Sequence, residues 1–171
     1  MKKALIVLFL LASEIGFAQV DLSKVNKDNT WLKLGVNVGL PIADLKASHG
    51  YVVGLDASVQ FLETKASGIG LKAGLLNYTG KDLVENIVVI PLAVLYRHYP
   101  ESTGFFAGLE AGYGLINNFP GTEGGIYVRP HAGLHTDNWN FLLYYDHVTT
   151  EENVANIQAI GVGVLYNLRF K

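Results

Sequence analysis

Eight stretches of the chain alternate strictly between apolar residues and a set made of Gly, Lys, Arg, Asp, Glu and Asn. From Trp31 to Leu40, Leu32, Leu34, Val36, Val38 and Leu40 share one side, while Lys33, Gly35, Asn37 and Gly39 share the other, because strand side chains alternate with period two. The pattern predicts strands over 31–40, 51–62, 69–78, 87–98, 105–116, 126–134, 139–147 and 157–170. Each is about the 9–11 residues that a tilted strand needs to cross a bilayer.

The connections alternate in length. Pro41–Gly50, Thr79–Asn86, Asn117–Gly125 and Val148–Asn156 are long, whereas Glu63–Gly68, Tyr99–Gly104 and His135–Asn138 are short. Long loops on one rim and short turns on the other are the asymmetry of an outer-membrane barrel, with both termini periplasmic and four loops outside. Tracing the strands up and down sets Trp31, Phe61, Tyr99, Phe105, Trp139 and Phe170 at the short-turn rim and Tyr51, Tyr78, Tyr113, Tyr127 and Tyr145 at the other. Two aromatic girdles at the headgroup levels are expected of a membrane barrel. Tyr127 has inward parity, which also allows it a place in the lumen.

Which face lies inside follows from the glycines. Gly35, Gly39, Gly54, Gly70, Gly74, Gly108, Gly112, Gly114, Gly133, Gly161 and Gly163 all fall on the polar face. An eight-stranded barrel is only just wide enough for its own side chains, so large polar residues must alternate there with very small ones. The apolar face is nearly free of charge from Leu32 to Leu168. A soluble, lipocalin-like barrel that binds a small apolar ligand would carry the two faces the other way round. The expected fold is therefore an all-β, eight-stranded antiparallel up-and-down transmembrane barrel with a packed polar interior.

Inside, Lys33, Asp56, Ser58, Gln60, Lys72, Arg97, Glu110, Arg129, His131, Asn140, Asp146, Asn167 and Arg169 are expected. Buried charges persist only when paired and hydrogen-bonded. The charged members Lys33, Asp56, Lys72, Arg97, Glu110, Arg129, Asp146 and Arg169 should form a network, with Glu110, on the strand between those of Arg97 and Arg129, at its centre.

Composition narrows the partners. The 171 residues leave room for one domain, and a formal charge of −2 provides no basic footprint for nucleic acid. Lys2 and Lys3, an apolar run from Ala4 to Ala12, and Gly16-Phe17-Ala18 read as a secretory signal peptide over 1–18, cut before Gln19. A periplasmic lead over 19–30 and the barrel over 31–171 follow. The mature chain holds 11 basic and 14 acidic residues and no cysteine, which excludes disulfides, thiolate metal sites and a lipoprotein anchor. His131 and His135 share a face, but about 13 Å of strand at roughly 3.3 Å per residue separates them. No metal and no cofactor is expected. Gly68-Ile69-Gly70-Leu71-Lys72-Ala73 imitates a dinucleotide fingerprint, yet a β pattern continues where a helix would be required.

The segment Ile90-Pro91-Leu92 through Tyr96-Arg97-His98-Tyr99, a short turn, and Gly104-Phe105-Phe106-Ala107-Gly108-Leu109-Glu110-Ala111-Gly112 resembles the outer-membrane β-barrel domain family of Bacteroidota, which includes PorT-like proteins. Gly161-Val162-Gly163-Val164-Leu165-Tyr166-Asn167-Leu168 looks like that family's last strand. The resemblance covers Gln19 to the end. It implies an eight-stranded barrel in the outer membrane, surrounded by lipid and inserted by the barrel assembly machinery through a terminal strand whose signal here is Phe170, followed by Lys171. It implies no catalytic residues.

One enzymatic alternative arises at Asp146-His147-Val148-Thr149-Thr150, which faintly resembles the His-x-Ser-Asn element of lipid A deacylases. His147 and Thr149 have outward parity, as a lipid-facing site requires. Against it, threonine replaces serine and no glutamate on the following strand orients the histidine; Glu151 and Glu152 belong to the loop. A nucleophile, a base and an orienting group are needed together. The favoured reading is a non-enzymatic outer-membrane barrel with a structural, adhesion or assembly role, and with an extracellular partner at the long loops as a possible addition.

Overall fold

The computed structural model describes residues 30–61, 66–150 and 154–169. The signal peptide and almost all of the lead, together with Glu151, Glu152, Phe170 and Lys171, lie outside the described residues, and Arg169 is described in its backbone alone.

The eight strands are β1 (Trp31–Pro41), β2 (His49–Phe61), β3 (Ser67–Gly80), β4 (Ile87–His98), β5 (Gly104–Asn117), β6 (Gly124–His135), β7 (Trp139–Thr149) and β8 (Ile157–Arg169). Each pairs antiparallel with its sequence neighbours, and β1 pairs β8 from Trp31↔Arg169 to Pro41↔Ala159, so the sheet closes into a barrel without an edge. Closure gives every strand a hydrogen-bonded neighbour on both sides, the condition for standing in hydrocarbon.

The strands run farther than the alternation indicates at the long-loop rim. His49 pairs with Gly80, and Gly124 and Gly125 pair with Leu115 and Gly114, continuing the ladders past the apolar belt. Glycine and polar residues there carry no two-residue hydrophobic signal, so the pattern stops before the hydrogen bonds do. The loops shrink to 42–48, 81–86, 118–123 and 150–156, against 62–66, 99–103 and 136–138 at the short-turn rim. The predicted length asymmetry survives in reduced form.

The outward positions are leucine, valine, isoleucine and aromatics: Leu34, Val36, Val38, Leu40, Leu55, Leu71, Leu92, Leu109, Leu143 and Ile160 are all exposed. A continuous apolar exterior of this extent is what lipid solvates and water does not. This orientation overturns the soluble alternative, which required the same residues to line a ligand cavity. At the rims, Trp139, Tyr166 and Phe105 stand outward near the short turns, and Tyr51 and Tyr113 do so near the long loops.

Two expected girdle residues, Tyr78 and Tyr99, point inward instead, and Tyr127 takes the lumen place that its parity allowed. Tyr78 and Tyr127 are fully buried and Tyr99 nearly so. Tyr78 shares inward parity with Leu76 and Lys72, and Tyr127 with Arg129, so both follow the strand period. Tyr99 lies just past the end of β4 and continues its inward parity, closing the lumen at the short-turn end.

Candidate functional site

The lumen is filled in three layers, and its chemistry changes along the axis. At its middle, Arg129 on β6 forks onto Asp146 of β7 through Nε and Nη2 (2.8 Å for the latter), while Nη1 donates to Asp56 Oδ2 on β2 at 2.9 Å. Lys72 on β3 donates to Glu110 Oε2 of β5 at 2.6 Å and lies 3.1 Å from Asp56 Oδ1. The Tyr127 hydroxyl sits 3.0 Å from Asp146 and 3.2 Å from Glu110, within reach of either carboxylate. Asn37 Nδ2 donates to Asp56, and Tyr144, whose ring lies under the Arg129 guanidinium, donates to Asn37 Oδ1. Two cations thus meet three carboxylates in a site whose members are all buried. Bidentate pairing and the added hydroxyl and amide donors supply what desolvated charges require.

The centre of this network is Arg129, and not Glu110. Arg129 reaches both Asp146 and Asp56 and comes within 3.9 Å of Glu110, whereas Glu110 pairs closely with Lys72 and otherwise meets the Tyr127 hydroxyl at 3.2 Å and His131 Nδ1 at 3.8 Å. Arg97 does not join it. Lys33 is also apart, with its ammonium 3.4 Å from the Tyr99 hydroxyl. Side-chain direction and barrel stagger decide these pairings, and strand order alone does not contain them.

Below, toward the short turns, a mixed layer holds Arg97, His131, Asn140, Asn167, Gln60, Tyr99, Phe106 and Leu165. Gly108 stands between Arg97 and His131 in the register, Arg97↔Gly108↔His131. A Cβ at Gly108 would approach Tyr96 O to 2.6 Å and press on the Arg97 and His131 side chains that cross it. Its missing side chain lets Arg97 Nε donate to His131 Nε2 at 3.2 Å. His131 Nδ1 lies 3.3 Å from the Arg129 carbonyl, which can only accept, so the proton is on Nδ1 and Nε2 is the acceptor. His131 and His135 flank Phe106 on either side, with ring centroids at 5.9 and 6.1 Å from it.

Above, toward the long loops, the interior is not polar. Val52, Leu76, Tyr78, Ile87, Val89, Ile116, Val148, Ile157 and Ala159 form a buried apolar layer. Leu45, from the 3-10 turn Ala43–Lys46, drops into it and closes the mouth. Lys81 holds that loop down by donating its backbone N–H to Ser48 O at 2.9 Å and its ammonium to Lys46 O at 2.7 Å. The expectation of a polar interior therefore holds for the middle and lower lumen and fails for the upper. Strands such as Ile87–His98, apolar on both faces at that end, concealed the layer, since no alternation marks it.

Outside the barrel, near the long-loop rim, four side chains of β7 and β8 form a directed chain. Tyr145 donates its hydroxyl to Gln158 Oε1 at 3.0 Å and lies 3.2 Å from His147 Nδ1; His147 Nε2 lies 2.9 Å from Thr149 Oγ1. Since the tyrosine proton is committed to Gln158, the imidazole carries its proton on Nδ1 and Nε2 accepts from Thr149. Gln158 stands directly opposite His147 in the register, at the position where an orienting carboxylate was sought in sequence.

No family model matches the chain, and no curated protein matches it. Among solved structures, eleven chains match. The N-terminal β-barrel domain of Pseudomonas aeruginosa OprF superposes with a TM-score of 0.54 at 19% identity, covering 82% of this chain and 98% of that one. Neisserial surface protein A gives 0.58 at 10% identity, with coverage of 85% and 99%. Ail of Yersinia pestis, in complex with the heparin analogue sucrose octasulfate, gives 0.53 at 9% identity, covering 82% and 98%. The chain has the fold of small eight-stranded outer-membrane barrels.

Proposed function

We propose that the chain is an outer-membrane barrel of the Bacteroidota PorT-like kind, exported by its signal peptide and inserted by the barrel assembly machinery, with a structural, adhesion or assembly role exercised at its rims. The observation that supports this most directly is the filled lumen. A salt-bridged layer is closed above by apolar side chains and Leu45, so no water-filled path is available for transport, and eight strands leave no width for one. Function then falls to the surfaces that meet lipid and solvent, where loops on a rigid scaffold commonly carry recognition.

The long loops give that role a sign. They hold Lys46 and Lys81 against Asp44, Asp82, Glu85, Glu123, Glu151 and Glu152, with Leu83 fully exposed at the tip of 81–86. An acidic crown repels the sulfated polyanion class bound by Ail, and it favours partners with basic groups around an apolar contact. The test is fractionation of expressing cells, followed by a gel of unboiled and boiled protein and planar-bilayer recording. Outer-membrane recovery with a heat-dependent mobility shift and no stable conductance is the expected result. Recovery in the soluble periplasm, or a large steady conductance, would overturn the reading.

A second reading is favoured by one observation, the Thr149–His147 hydrogen bond with Tyr145 and Gln158 behind it. That order of hydroxyl, imidazole and orienting group on a lipid-facing rim suits a lipid A deacylase-like hydrolase. Mass spectrometry of lipid A from expressing cells decides it. Loss of one acyl chain with the unmutated protein, abolished by Thr149→Ala, would establish the activity; identical lipid A in both strains would remove it.

A further inference from the structure

On the lipid-facing wall a row of polar side chains stands directly above an apolar groove. Tyr145, His147 and Thr149 occupy successive outward positions of β7, and Gln158 of β8 lies opposite His147. The hydrogen bonds of the row run in one direction, from Thr149 to His147 to Tyr145 to Gln158 Oε1, at 2.9, 3.2 and 3.0 Å. They end on the Gln158 carbonyl, so its Nε2 keeps both protons, and no acceptor among the described residues meets them. Gln158 is the second residue of β8, and the next outward residue, Ile160, is 49% exposed in the apolar belt. The free donor therefore stands where strand gives way to loop, at the level where hydrocarbon meets headgroups.

Beneath it, two outward rows cross the β7, β8 and β1 strands. Ile160 and Leu40 pair in the upper row; Leu143, Val162 and Val38 pair in the lower. Between the rows Gly39 and Gly161, partners in the register, form the floor of a groove of about 700 Å3. That volume is in the size range of ligand pockets. A second groove, of about 570 Å3, shares Leu143 and Val162 with the first and reaches Phe105 near the short turns. An apolar track with a hydrogen-bond donor at its upper end suits an elongated amphiphile whose acceptor sits at the head of its chain. The row offers hydroxyls, an imidazole and an amide, and no carboxylate, ammonium or guanidinium. It is therefore built to meet a neutral oxygen and not the charge of a headgroup.

We propose that this face binds one ester-linked acyl chain of an outer-leaflet lipid, its carbonyl oxygen accepting from Gln158 Nε2 and its hydrocarbon lying in the groove over Gly39 and Gly161. The inference rests on the outer-membrane reading above. It requires binding alone, and stands whether or not the Thr149 hydroxyl attacks the ester.

The probes are two lysophosphatidylcholines that differ in one group, an ester-linked chain and its ether-linked analogue, which lacks the carbonyl. Each is titrated into the refolded, signal-free protein in dodecyl maltoside micelles, and the methyl resonances of Val38 and Val162 and the side-chain amide resonance of Gln158 are followed. The ester lipid is expected to bind saturably, about fivefold more tightly than the ether, the worth of one hydrogen bond. Gln158→Leu, read by the methyls, should bring both lipids to the same weaker affinity, and Val162→Phe, which fills the groove, should weaken both. Shifts that rise linearly with lipid, as for bulk solvation, would overturn the proposal. So would equal affinities of the ester and ether lipids for unmutated protein. Heat-dependent gel mobility of the same sample reports the folded barrel, so a folded sample that binds neither lipid counts against the site and not against the membrane barrel. Intact ester recovered beside saturable binding, weighed by mass spectrometry, supports the site without hydrolysis. If a variant fails to fold, the ester and ether comparison on unmutated protein decides alone.

Discussion

Arg129→Ala is expected to destabilise the barrel by about 3–5 kcal/mol, the range for breaking a buried ion pair by removing one partner. The residue binds Asp146 through two nitrogens and Asp56 through a third, so its loss leaves Asp146 without a cation and Asp56 with Lys72 and Asn37 alone, beneath a buried apolar layer. Glu110→Ala should be milder. It releases Lys72, which keeps Asp56 at 3.1 Å. Denaturant titration of refolded protein, read by the heat-dependent gel shift, should therefore rank unmutated above Glu110→Ala above Arg129→Ala. Neither variant should conduct in planar bilayers, because the upper apolar layer is untouched. A Glu110→Ala variant less stable than Arg129→Ala would return Glu110 to the centre of the network.

Val36→Arg is expected to cost about 2–4 kcal/mol in lipid, the penalty for a basic side chain on the lipid face at the bilayer midplane. Val36 lies at the middle of β1, outward and 57% exposed, with Leu34 and Val38 on either side. The same change near a rim, at Leu40, should cost only about 0–1 kcal/mol, because an arginine there reaches the headgroups. Folding into vesicles across a denaturant series measures both. On a protein surrounded by water the two substitutions would be equally harmless, so a depth dependence is a direct reading of the solvent outside the barrel.

The strands, their order and the direction of their faces were legible in the chain because one physical rule, two-residue alternation between lipid and lumen, acts on nearly every strand residue. Leu32–Leu40 and the inward glycines display it without ambiguity. Where both sides are apolar the rule is silent. Val52, Leu76, Ile87, Val89 and Ile157 look like membrane residues in sequence and are lumen residues in space. Tyr78 and Tyr99 misled for a related reason, since an aromatic near a rim suits either a headgroup girdle or a plug, and only its parity, as read for Tyr127, separates the two.

Partners inside the lumen were less accessible still. Membership of the charge network could be listed from inward parity, yet its pairings span 73 positions for Arg129–Asp56 and 107 for Tyr144–Asn37. Such contacts depend on barrel stagger and on which long side chains lean across. Gln158 illustrates the same limit on the outside. Its place opposite His147 follows from the β7–β8 register, while the search for a carboxylate passed over an amide able to accept the same hydrogen bond.

The distribution of charge around the barrel bears on the order in which it is made. Asp56, Lys72, Glu110, Arg129 and Asp146 come from β2, β3, β5, β6 and β7; none lies on the two strands that meet at the β1–β8 seam. At the middle of that seam the inward positions are Gly35, Asn37 and Gly39 facing Gly161, Gly163 and Leu165. A curled six-stranded sheet can therefore gather its ionic bonds before the terminal strands meet. The last event is then a zipper of backbone hydrogen bonds with little side-chain bulk to steer past.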